Sequence, residues 1–364
     1  MAKSDTEEYE GSAREAGLRY VTDAIAGITR KRNGRGFSFI DPLGQTIRER
    51  QLIRRLRGLV IPPAWTKVWI CPDPDGHLQV TARDLRGRKQ YRYHPAFREQ
   101  RDETKFERMF EMADVLWKIR ERVEHDISLP GLPREKVMAT VVWLLEKTLI
   151  RIGADEYTKT NKSFGLTTLR RRHVEVDGHE MRFEFRGKSG IVHSVAVTDR
   201  RIARIVQHCQ ELRGQELFQY LDDSGGRKTV QAEDINEYLQ EIAGRDVTAK
   251  DFRTWAGTML AAHELRTMGP AKTKKEAEKN IIRAVDLTAA KLGNTRTVCR
   301  KYYIHPAIMD AYREGRVLPP EPKHKWHARH HHIPALRRHE EEVLAFIRQD
   351  LAATAIDRKP APLA

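Results

Sequence analysis

The stretch at residues 173–197 reads HVEVDGHEMRFEFRGKSGIVHSVAV, and it decides how the second half of the chain is organised. Apolar and polar residues alternate at a period of two in three short runs, the pattern of half-buried strands. Asp177-Gly178 and residues 187–190, Gly-Lys-Ser-Gly, separate the runs and are typical of turns. The stretch therefore predicts a three-stranded β-meander.

Long segments with helical periodicity surround this meander. They cover residues 105–124, 134–150 and 274–292. Pro133 opens the second of these segments, while Thr273 and Glu276 form a capping-box pattern at the start of the third and Gly293 follows its end. We therefore predict a mainly helical domain into which the meander is inserted.

The first part of the chain favours short strands instead. Residues 36–40, 67–71 and 77–81 have strand-like sequences, and the turn-rich Pro-Asp-Pro-Asp-Gly at 72–76 separates the last two. Residues 47–59 alternate apolar and basic residues at helical spacing, and we expect their arginines to point toward phosphate. The prediction is a small β-rich domain, so that the fold class as a whole is α+β.

These patterns divide the chain of 364 residues into four parts. We predict a flexible acidic tail at 1–17, a β-rich domain at 18–97, a mainly helical domain at 98–317, and a basic, His/Pro-rich C-terminal extension at 318–364. The extension includes a short amphipathic segment from 335 to 351 and a histidine-rich run with His324, His327 and His330 to His332.

Composition narrows the class of partner. The net charge of +15 favours a polyanion, although charge alone does not separate DNA, RNA and anionic lipid. No stretch has the roughly 20 apolar residues of a membrane span, and the acidic N-terminus does not resemble a signal peptide. We expect a soluble, cytoplasmic protein. Its three widely spaced cysteines, Cys71, Cys209 and Cys299, are expected to be reduced.

Four segments combine Arg, Lys or Tyr with turn or cap residues where a phosphate could approach. They contain Arg151 before Gly153, Lys188 in the turn at 187–190, Arg253 in Lys-Asp-Phe-Arg-Thr-Trp at 250–255, and the adjacent Tyr302 and Tyr303 after Asn294. Each also has a structural interpretation: a helix-end arginine, a solvated turn lysine, an ion pair with Asp251, and tyrosines used for packing.

The turn at Lys188 superficially resembles the end of a phosphate-binding P-loop. The required glycine is absent, because position 182 is Arg, and the predicted context is strand–turn–strand. Taken together, the four segments instead supply the groups for phosphodiester transesterification: fixed cations, a general acid and a tyrosine nucleophile. No acidic cluster at metal-ligand spacing lies near them, and we expect neither a metal nor any other cofactor.

The segments resemble type IB DNA topoisomerases of the poxvirus and bacterial group, from about residue 20 to 317. Five ordered motifs carry the resemblance: Gly-Arg-Lys-Gln-Tyr-Arg-Tyr at 87–93, Arg-Ile-Gly at 151–153 with Tyr157, Gly187-Lys188, Lys-Asp-Phe-Arg-Thr at 250–254, and residues 292–303 from Leu-Gly-Asn-Thr to Tyr303. The resemblance implies reversible cleavage of one DNA strand through a 3′-phosphotyrosyl bond, strand rotation and religation, without ATP or metal.

The resemblance also implies a role for each matching residue. Tyr303 would be the nucleophile, preferred over Tyr302 because the family's nucleophile lies nine residues after the position of Asn294. Arg151 and Arg253 would hold the non-bridging oxygens, and Lys188, supported by Lys250, would be the general acid. The implied DNA-binding residues are Arg88, Lys89, Gln90, Tyr91, Tyr93 and Tyr157. The two domains would close around double-stranded DNA as a clamp.

This sequence departs from the poxvirus pattern at one position. Poxvirus members have His where this chain has Asn294, whereas bacterial relatives have Asn. An amide can still donate a hydrogen bond to a phosphate oxygen, but it does not titrate. The histidine-rich extension has no counterpart in the family, and we interpret it as a basic DNA-contacting tail in preference to a metal site.

Two alternatives remain at the level of sequence. A tyrosine recombinase uses a similar Arg–Lys–Arg–Tyr set, but it typically has His three residues before the second Arg, where this chain has Lys250. A basic DNA-coating protein would need only the net charge. We predict the topoisomerase, acting as a monomer, associated with the nucleoid and without an obligate protein partner.

Overall fold

A computed structural model of the chain describes residues 3–34, 36–85, 87–222, 224–320 and 337–357. Within these ranges the chain divides into two compact units, Met1–Lys105 and Phe106–Ala364. The division falls inside a long helix, slightly beyond the boundary at residue 97 that the sequence predicts. None of the described helices is long and apolar enough to cross a membrane.

The first unit combines one antiparallel sheet with short helices. Its elements are α1 (Lys3–Glu15), β1 (Ile28–Asn33), β2 (Gly36–Ile40), α2 (Arg50–Gly58), β3 (Thr66–Ile70), β4 (Leu78–Arg83) and β5 (Lys89–Tyr93). The strand order is β2-β1-β3-β4-β5, so that β5 lies at one edge of the sheet. Helix α3 (Pro95–Ile127) continues from this unit into the second.

Helix α2 covers the core of the first unit. Leu56 is buried and packs with Ile28, Ile70 and Val80 of the sheet. Arg55 of the same helix donates hydrogen bonds to the carbonyl oxygens of residues 71–73 and to Gln79. The expectation that the arginines of this segment point toward phosphate is therefore wrong for Arg55, whose donors satisfy the main chain of a turn.

Residues 3–15 form helix α1, where the sequence predicts a flexible tail. The ring of Tyr9 lies among those of His77, Tyr93 and Phe97, at centroid distances of 5.7 to 6.3 Å. Ala13 is fully buried. The acidic composition is a poor guide here because a few apolar contacts, spaced along one helical face, hold the segment against the first unit.

The second unit is mainly helical. Its elements after α3 are α4 (Arg134–Thr148), α5 (Asp155–Asn161), β6 (Val174–Asp177), β7 (Glu180–Arg186), β8 (Val192–Thr198), α6 (Arg200–Glu211), β9 (Gln219–Leu221), β10 (Arg227–Thr229), α7 (Ala232–Ala243), α8 (Ala249–Met268), α9 (Lys274–Leu292), α10 (Arg296–Tyr302), α11 (Pro306–Arg313) and α12 (Arg338–Asp357). Strands β6, β7 and β8 form an antiparallel sheet in that order.

The alternation of more buried and more exposed side chains along β7 and β8 lets one face of this small sheet pack on the helical core. Met181, Phe183 and Phe185 are buried, while the residues between them are exposed. The buried faces join one continuous core with α4, whose residues from Val137 to Leu145 are almost all inaccessible. The turn between β7 and β8 is thereby held by packing on both of its strands.

The C-terminal extension contains helix α12, which belongs to the core and is not a separate appendage. Val343, Leu344 and Ile347 are buried, and Glu340 accepts hydrogen bonds of 2.9 and 2.8 Å from the two terminal nitrogens of Arg120. The histidine-rich run at 324–332 lies outside the described residues. Among the described residues, no group of His, Cys, Asp or Glu could hold a metal ion.

Candidate active site

The loop after α4 places Arg151. Leu149 adopts a left-handed conformation (φ 57°) at the end of the helix, which turns the chain sharply before the buried Ile150. The carbonyl oxygen of Arg151 accepts a 2.8 Å hydrogen bond from the main-chain N–H of Leu166. A side chain at Gly165 would overlap that same carbonyl, so glycine is required there for the close approach of the two backbones.

Arg253 ties three segments together. Its side chain is 4% exposed, and its guanidinium donates hydrogen bonds to the carbonyl oxygens of Leu149 and, at 2.6 Å, Leu292. The possible ion pair with Asp251 does not form, because Asp251 caps α8 through Thr248 and contacts Arg108. Burial, and then repulsion by Arg151, lower the pKa of Arg253 to about 10, so that it stays a cation at neutral pH.

Asn294 lies beside Arg151. The Arg151 guanidinium donates a hydrogen bond to Oδ1 of Asn294, which leaves the two N–H donors of the amide pointing elsewhere. Nδ2 of Asn294 and Nε of Arg253 are both buried and have no hydrogen-bond partner among the described residues. Unpaired buried donors are costly, and two of them next to an arginine pair are typical of a site that binds an anion.

Tyr303 follows the last turn of α10 and points its ring toward this arginine pair. The guanidinium carbon of Arg253 lies 5.3 Å from the centroid of the ring. Burial by itself would raise the pKa of Tyr303, but the positive charges of Arg253, Arg151 and Lys188 outweigh it and lower that pKa below its ordinary value. Tyr302, by contrast, is 38% exposed.

Two residues of α8 fix the backbone of Tyr303. Gly257 contacts its carbonyl group so closely that any side chain at 257 would overlap it. The hydroxyl of Thr258 donates a 3.5 Å hydrogen bond to the same carbonyl oxygen and accepts a 3.1 Å bond from the N–H of His305. Neither residue is indicated by the sequence, because a small residue and a threonine in a helix usually serve packing alone.

Lys188 lies in the turn between β7 and β8. The turn is closed by a 2.7 Å hydrogen bond from the N–H of Gly187 to the carbonyl oxygen of Ile191. The side chain of Lys188 is exposed, and its charge is near enough to act on Tyr303. Lys250 is also exposed, in the first turn of α8, but no contact among the described residues joins it to any of the other five predicted catalytic residues.

The DNA-binding residues predicted in the first unit lie on or beside the edge strand β5. Arg88 and Gln90 both contact Asp84, whereas Lys89 forms an ion pair with Asp23 at 2.6 Å. Tyr91 is 48% exposed and stacks in parallel on Tyr93, with 6.2 Å between ring centroids.

Tyr93 is only partly exposed, and its contact with phosphate stays a prediction. Its ring packs among aromatic neighbours, and burial raises the pKa of its phenol. Tyr157 lies in α5, but its side chain is outside the described residues. The exposed side chains of Arg88, Lys89 and Tyr91 are therefore the better candidates for contact with a phosphate backbone.

Comparison with known proteins gives a consistent result for both units. The family model described as "Eukaryotic DNA topoisomerase I, catalytic core" matches residues 94–318, and the model described as "Bacterial DNA topoisomerase IB, N-terminal domain" matches residues 36–84. Together the two models cover most of the sheet of the first unit. The first model also covers the cluster formed by Arg151, Arg253, Asn294 and Tyr303.

Three individual relatives are viral proteins. The DNA topoisomerase 1B of Acanthamoeba polyphaga mimivirus is 31% identical over 271 residues, which are 72% of this chain and 80% of the relative. The DNA topoisomerase I of monkeypox virus and the DNA topoisomerase 1B of vaccinia virus (strain Copenhagen) are each 22% identical over 241 residues, or 65% of this chain and 72% of theirs.

Proposed function

The chain belongs to the family of type IB DNA topoisomerases, and from this premise we propose how its own residues carry out the reaction. Tyr303 attacks a backbone phosphorus of duplex DNA, forms a 3′-phosphotyrosyl bond and releases a free 5′-hydroxyl. The superhelical tension then rotates the cut duplex about the intact strand. Attack by the 5′-hydroxyl on the same phosphorus restores the DNA and frees Tyr303.

The observation that carries this proposal is the convergence of three segments that are distant in the sequence, which contain Arg151, Arg253, and Asn294 with Tyr303. An in-line displacement concentrates negative charge on the two non-bridging oxygens of the phosphate. The cations of Arg151 and Arg253, with the unpaired donors Nε of Arg253 and Nδ2 of Asn294, suit those two oxygens. This preorganisation requires no rearrangement of charge at the moment of reaction.

Proton transfer is assigned to Tyr303 and Lys188. The phenol releases its proton to the solvent as Oη bonds to phosphorus, and the three nearby cations favour the ionised form. Lys188 supplies a proton to the 5′-oxygen as the phosphorus–oxygen bond breaks. Lys250 has only a supporting role beside Lys188 in this proposal, since among the described residues its side chain contacts none of Arg151, Arg253, Asn294 and Tyr303.

The covalent bond conserves the energy of the phosphodiester, so we propose that the reaction uses neither ATP nor a divalent metal ion. We also propose that the protein acts as a monomer in the cytoplasm, associated with the nucleoid. The exposed Lys89 and Tyr91 of β5, with Arg88 directly before this strand, would contact the phosphate backbone. The closed clamp around the duplex stays a prediction from the sequence.

Trapping of the covalent intermediate tests the assignment of the nucleophile. The substrate is a duplex in which the cleaved strand ends close to the scissile phosphate. Cleavage then releases a short 5′-hydroxyl fragment that diffuses away, so the protein should accumulate on the 3′ end of the remaining DNA. Proteolysis and mass spectrometry should then identify a nucleotide adduct on the peptide that contains Tyr303. An adduct on Tyr302, or a linkage to a 5′-phosphate, would overturn the proposal.

A further inference from the structure

The imidazole of His193 occupies a slot between two glycines of the second unit. A methyl group built on Gly187 would lie 2.5 Å from Cδ2 of His193, and one built on Gly293 would overlap Cε1. These two carbons flank Nε2, so the two glycines approach neighbouring edges of the same ring. The ring also stacks on Phe185, its partner across strands β7 and β8, with 5.1 Å between centroids.

Each of these glycines comes directly before a residue of the active site. Gly187 precedes Lys188 in the turn between β7 and β8, while Gly293, in the left-handed conformation (φ 58°), ends α9 and precedes Asn294. His193 is thus a side chain that lies against both the backbone carrying Lys188 and the backbone carrying Asn294. A change in the size of this ring would change the distance between those two groups.

The environment of His193 favours a role in packing over a role in proton transfer. Burial, followed by the charges of Arg151 and Arg253, lowers the pKa of the imidazole below its ordinary value. A neutral ring adds no third positive charge to the arginine pair. The ring is also held on three sides by Phe185 and the two glycines, which leaves it little freedom to rotate.

We propose that His193 is a positioning residue for cleavage: its ring sets the separation between Lys188 and the Arg151–Asn294 pair, so that Lys188 reaches the 5′-oxygen while the phosphate is held. This inference rests on the role of Lys188 as general acid in the proposed function. It adds a residue that does not touch the reacting atoms and acts through the turn that carries Lys188.

Loss of the ring should displace Lys188 without removing it. A misplacement of about 1 Å in a catalytic group can slow a reaction by roughly 100-fold. His193→Ala should therefore slow single-turnover cleavage of duplex DNA by roughly 10- to 100-fold, with a smaller change in DNA affinity, because the phosphate contacts of Arg151 and Arg253 remain. The matched control is His179→Ala, an exposed histidine in the turn between β6 and β7.

The experiment compares two substrates that differ in one atom of the leaving group. In the first the bridging 5′ atom is oxygen, and in the second it is sulfur, which leaves as a thiolate and needs no general acid. We expect Lys188→Ala and His193→Ala to be slow on the oxygen substrate and to recover most of the wild-type rate on the sulfur substrate. His179→Ala should behave like wild type on both.

A second pair of variants tests the slot itself, and its first member, Gly187→Ala alone, stays informative if His193→Ala does not fold. Gly187 has extended backbone angles that alanine can adopt, so Gly187→Ala inserts a methyl group into the ring of His193 without backbone strain. We expect Gly187→Ala alone to slow cleavage of the oxygen substrate and to recover with sulfur. In the His193→Ala background the same methyl group should cost little, because the space is open.

The outcomes distinguish a wrong role for Lys188 from a wrong role for His193. Failure of sulfur to rescue Lys188→Ala would overturn the role of Lys188 in the proposed function. Rescue of Lys188→Ala but not of His193→Ala would overturn only the inference about His193. A wild-type cleavage rate in His193→Ala, or equal effects of Gly187→Ala in the presence and absence of the ring, would likewise reject the positioning role.

Discussion

Arg253 shows how a single side chain can hold an active site together. Its guanidinium reaches two main-chain carbonyls, those of Leu149 and Leu292, and it faces the ring of Tyr303 at 5.3 Å. The planar, forked arrangement of its donors makes these contacts possible at the same time. A lysine in the same place would keep the charge but could not span both carbonyls.

Arg253→Lys should therefore slow single-turnover cleavage by roughly 100- to 1,000-fold, the usual effect of losing an oriented donor to a developing charge. It should also lower the melting temperature, because the carbonyls of Leu149 and Leu292 lose their partner. Quenched-flow cleavage and thermal unfolding measure the two effects. Arg182→Lys, an exposed arginine on β7, is the control. A cleavage rate in Arg253→Lys equal to that of the control would contradict this account.

The pKa of Tyr303 predicts a pH dependence. Burial raises this pKa, but the positive charges of Arg253, Arg151 and Lys188 lower it by a larger amount. The phenolate therefore forms below the ordinary value of 10.0. On the substrate with a bridging sulfur, the cleavage rate should rise with pH and level off below that value.

Arg151→Gln removes one of these positive charges, which destabilises the phenolate and raises the pKa of Tyr303. The midpoint of the pH–rate profile should therefore move to higher pH, whatever happens to the plateau rate. Arg182→Gln should leave the midpoint unchanged. An identical midpoint in Arg151→Gln and wild type would show that Arg151 does not act on the charge of the nucleophile.

The sequence indicates the residues of the site better than it indicates their contacts. The resemblance to the family implies Tyr303 in preference to Tyr302, and the ring of Tyr303 lies beside Arg253. His193, Gly257 and Thr258 are not predicted, because their contacts depend on how distant backbones approach each other. A strand histidine opposite Phe185 can be placed on a face by alternation, but only the fold brings Gly293 to its ring.

At the scale of elements, helix α12 is attached to the core by a buried ion pair. Glu340 accepts two hydrogen bonds from Arg120 and one of 3.2 Å from the indole N–H of Trp255. Burial alone would raise the pKa of Glu340, but the Arg120 guanidinium outweighs it and holds that pKa at about 2. Because the folded pKa is depressed, the stabilisation is present above the unfolded value of 4.5 and is lost as the pH falls toward 2.

Glu340→Gln should thus reduce the free energy of unfolding at pH 7 by about 1–3 kcal/mol, the cost of leaving a buried charged group partly unpaired. The difference from wild type should shrink as the pH is lowered from 4.5 to 3. Urea unfolding followed across this range measures it, with the exposed Glu341→Gln on the same helix as control. A difference that is constant between pH 7 and pH 3 would contradict the assigned pKa.

Elements with clear caps are predicted well, and elements with polar sequences are not. Helix α9 spans Lys274–Leu292, as Thr273 and Gly293 indicate, since both act as caps in the structure. Strands β1 and β5 are absent from the prediction because their sequences, ITRKRN and KQYRY, are rich in basic and other polar residues. Their strand conformation depends on backbone pairing with neighbours, which hydrophobic alternation does not report.

At the scale of the whole molecule, the net charge of +15 predicts strong electrostatic attraction to DNA. Neutralisation of phosphates releases counterions, so affinity should fall steeply with salt. If 6–10 phosphates are contacted, the affinity of the Tyr303→Phe protein for duplex DNA should fall by roughly 10³- to 10⁵-fold between 50 and 200 mM salt. Equilibrium titration at several salt concentrations measures this, and a flat response would contradict it.

The division into a sheet-containing unit and a helical unit is visible in the sequence, because the hydrophobic period changes from two to 3.6 along the chain. The exact boundary is not, since it falls within the continuous helix α3. The C-terminal helix was predicted as an amphipathic segment, but its burial against Arg120 and Trp255 depends on partners more than 80 residues away.

Relaxation of supercoiled plasmid in EDTA and without ATP tests the central claim most directly. The account predicts that the wild-type protein relaxes both negatively and positively supercoiled DNA, that Tyr302→Phe retains this activity, and that Tyr303→Phe loses it while still binding DNA. Relaxation by Tyr303→Phe at the wild-type rate, or a wild-type protein that binds DNA but relaxes neither form, would contradict it.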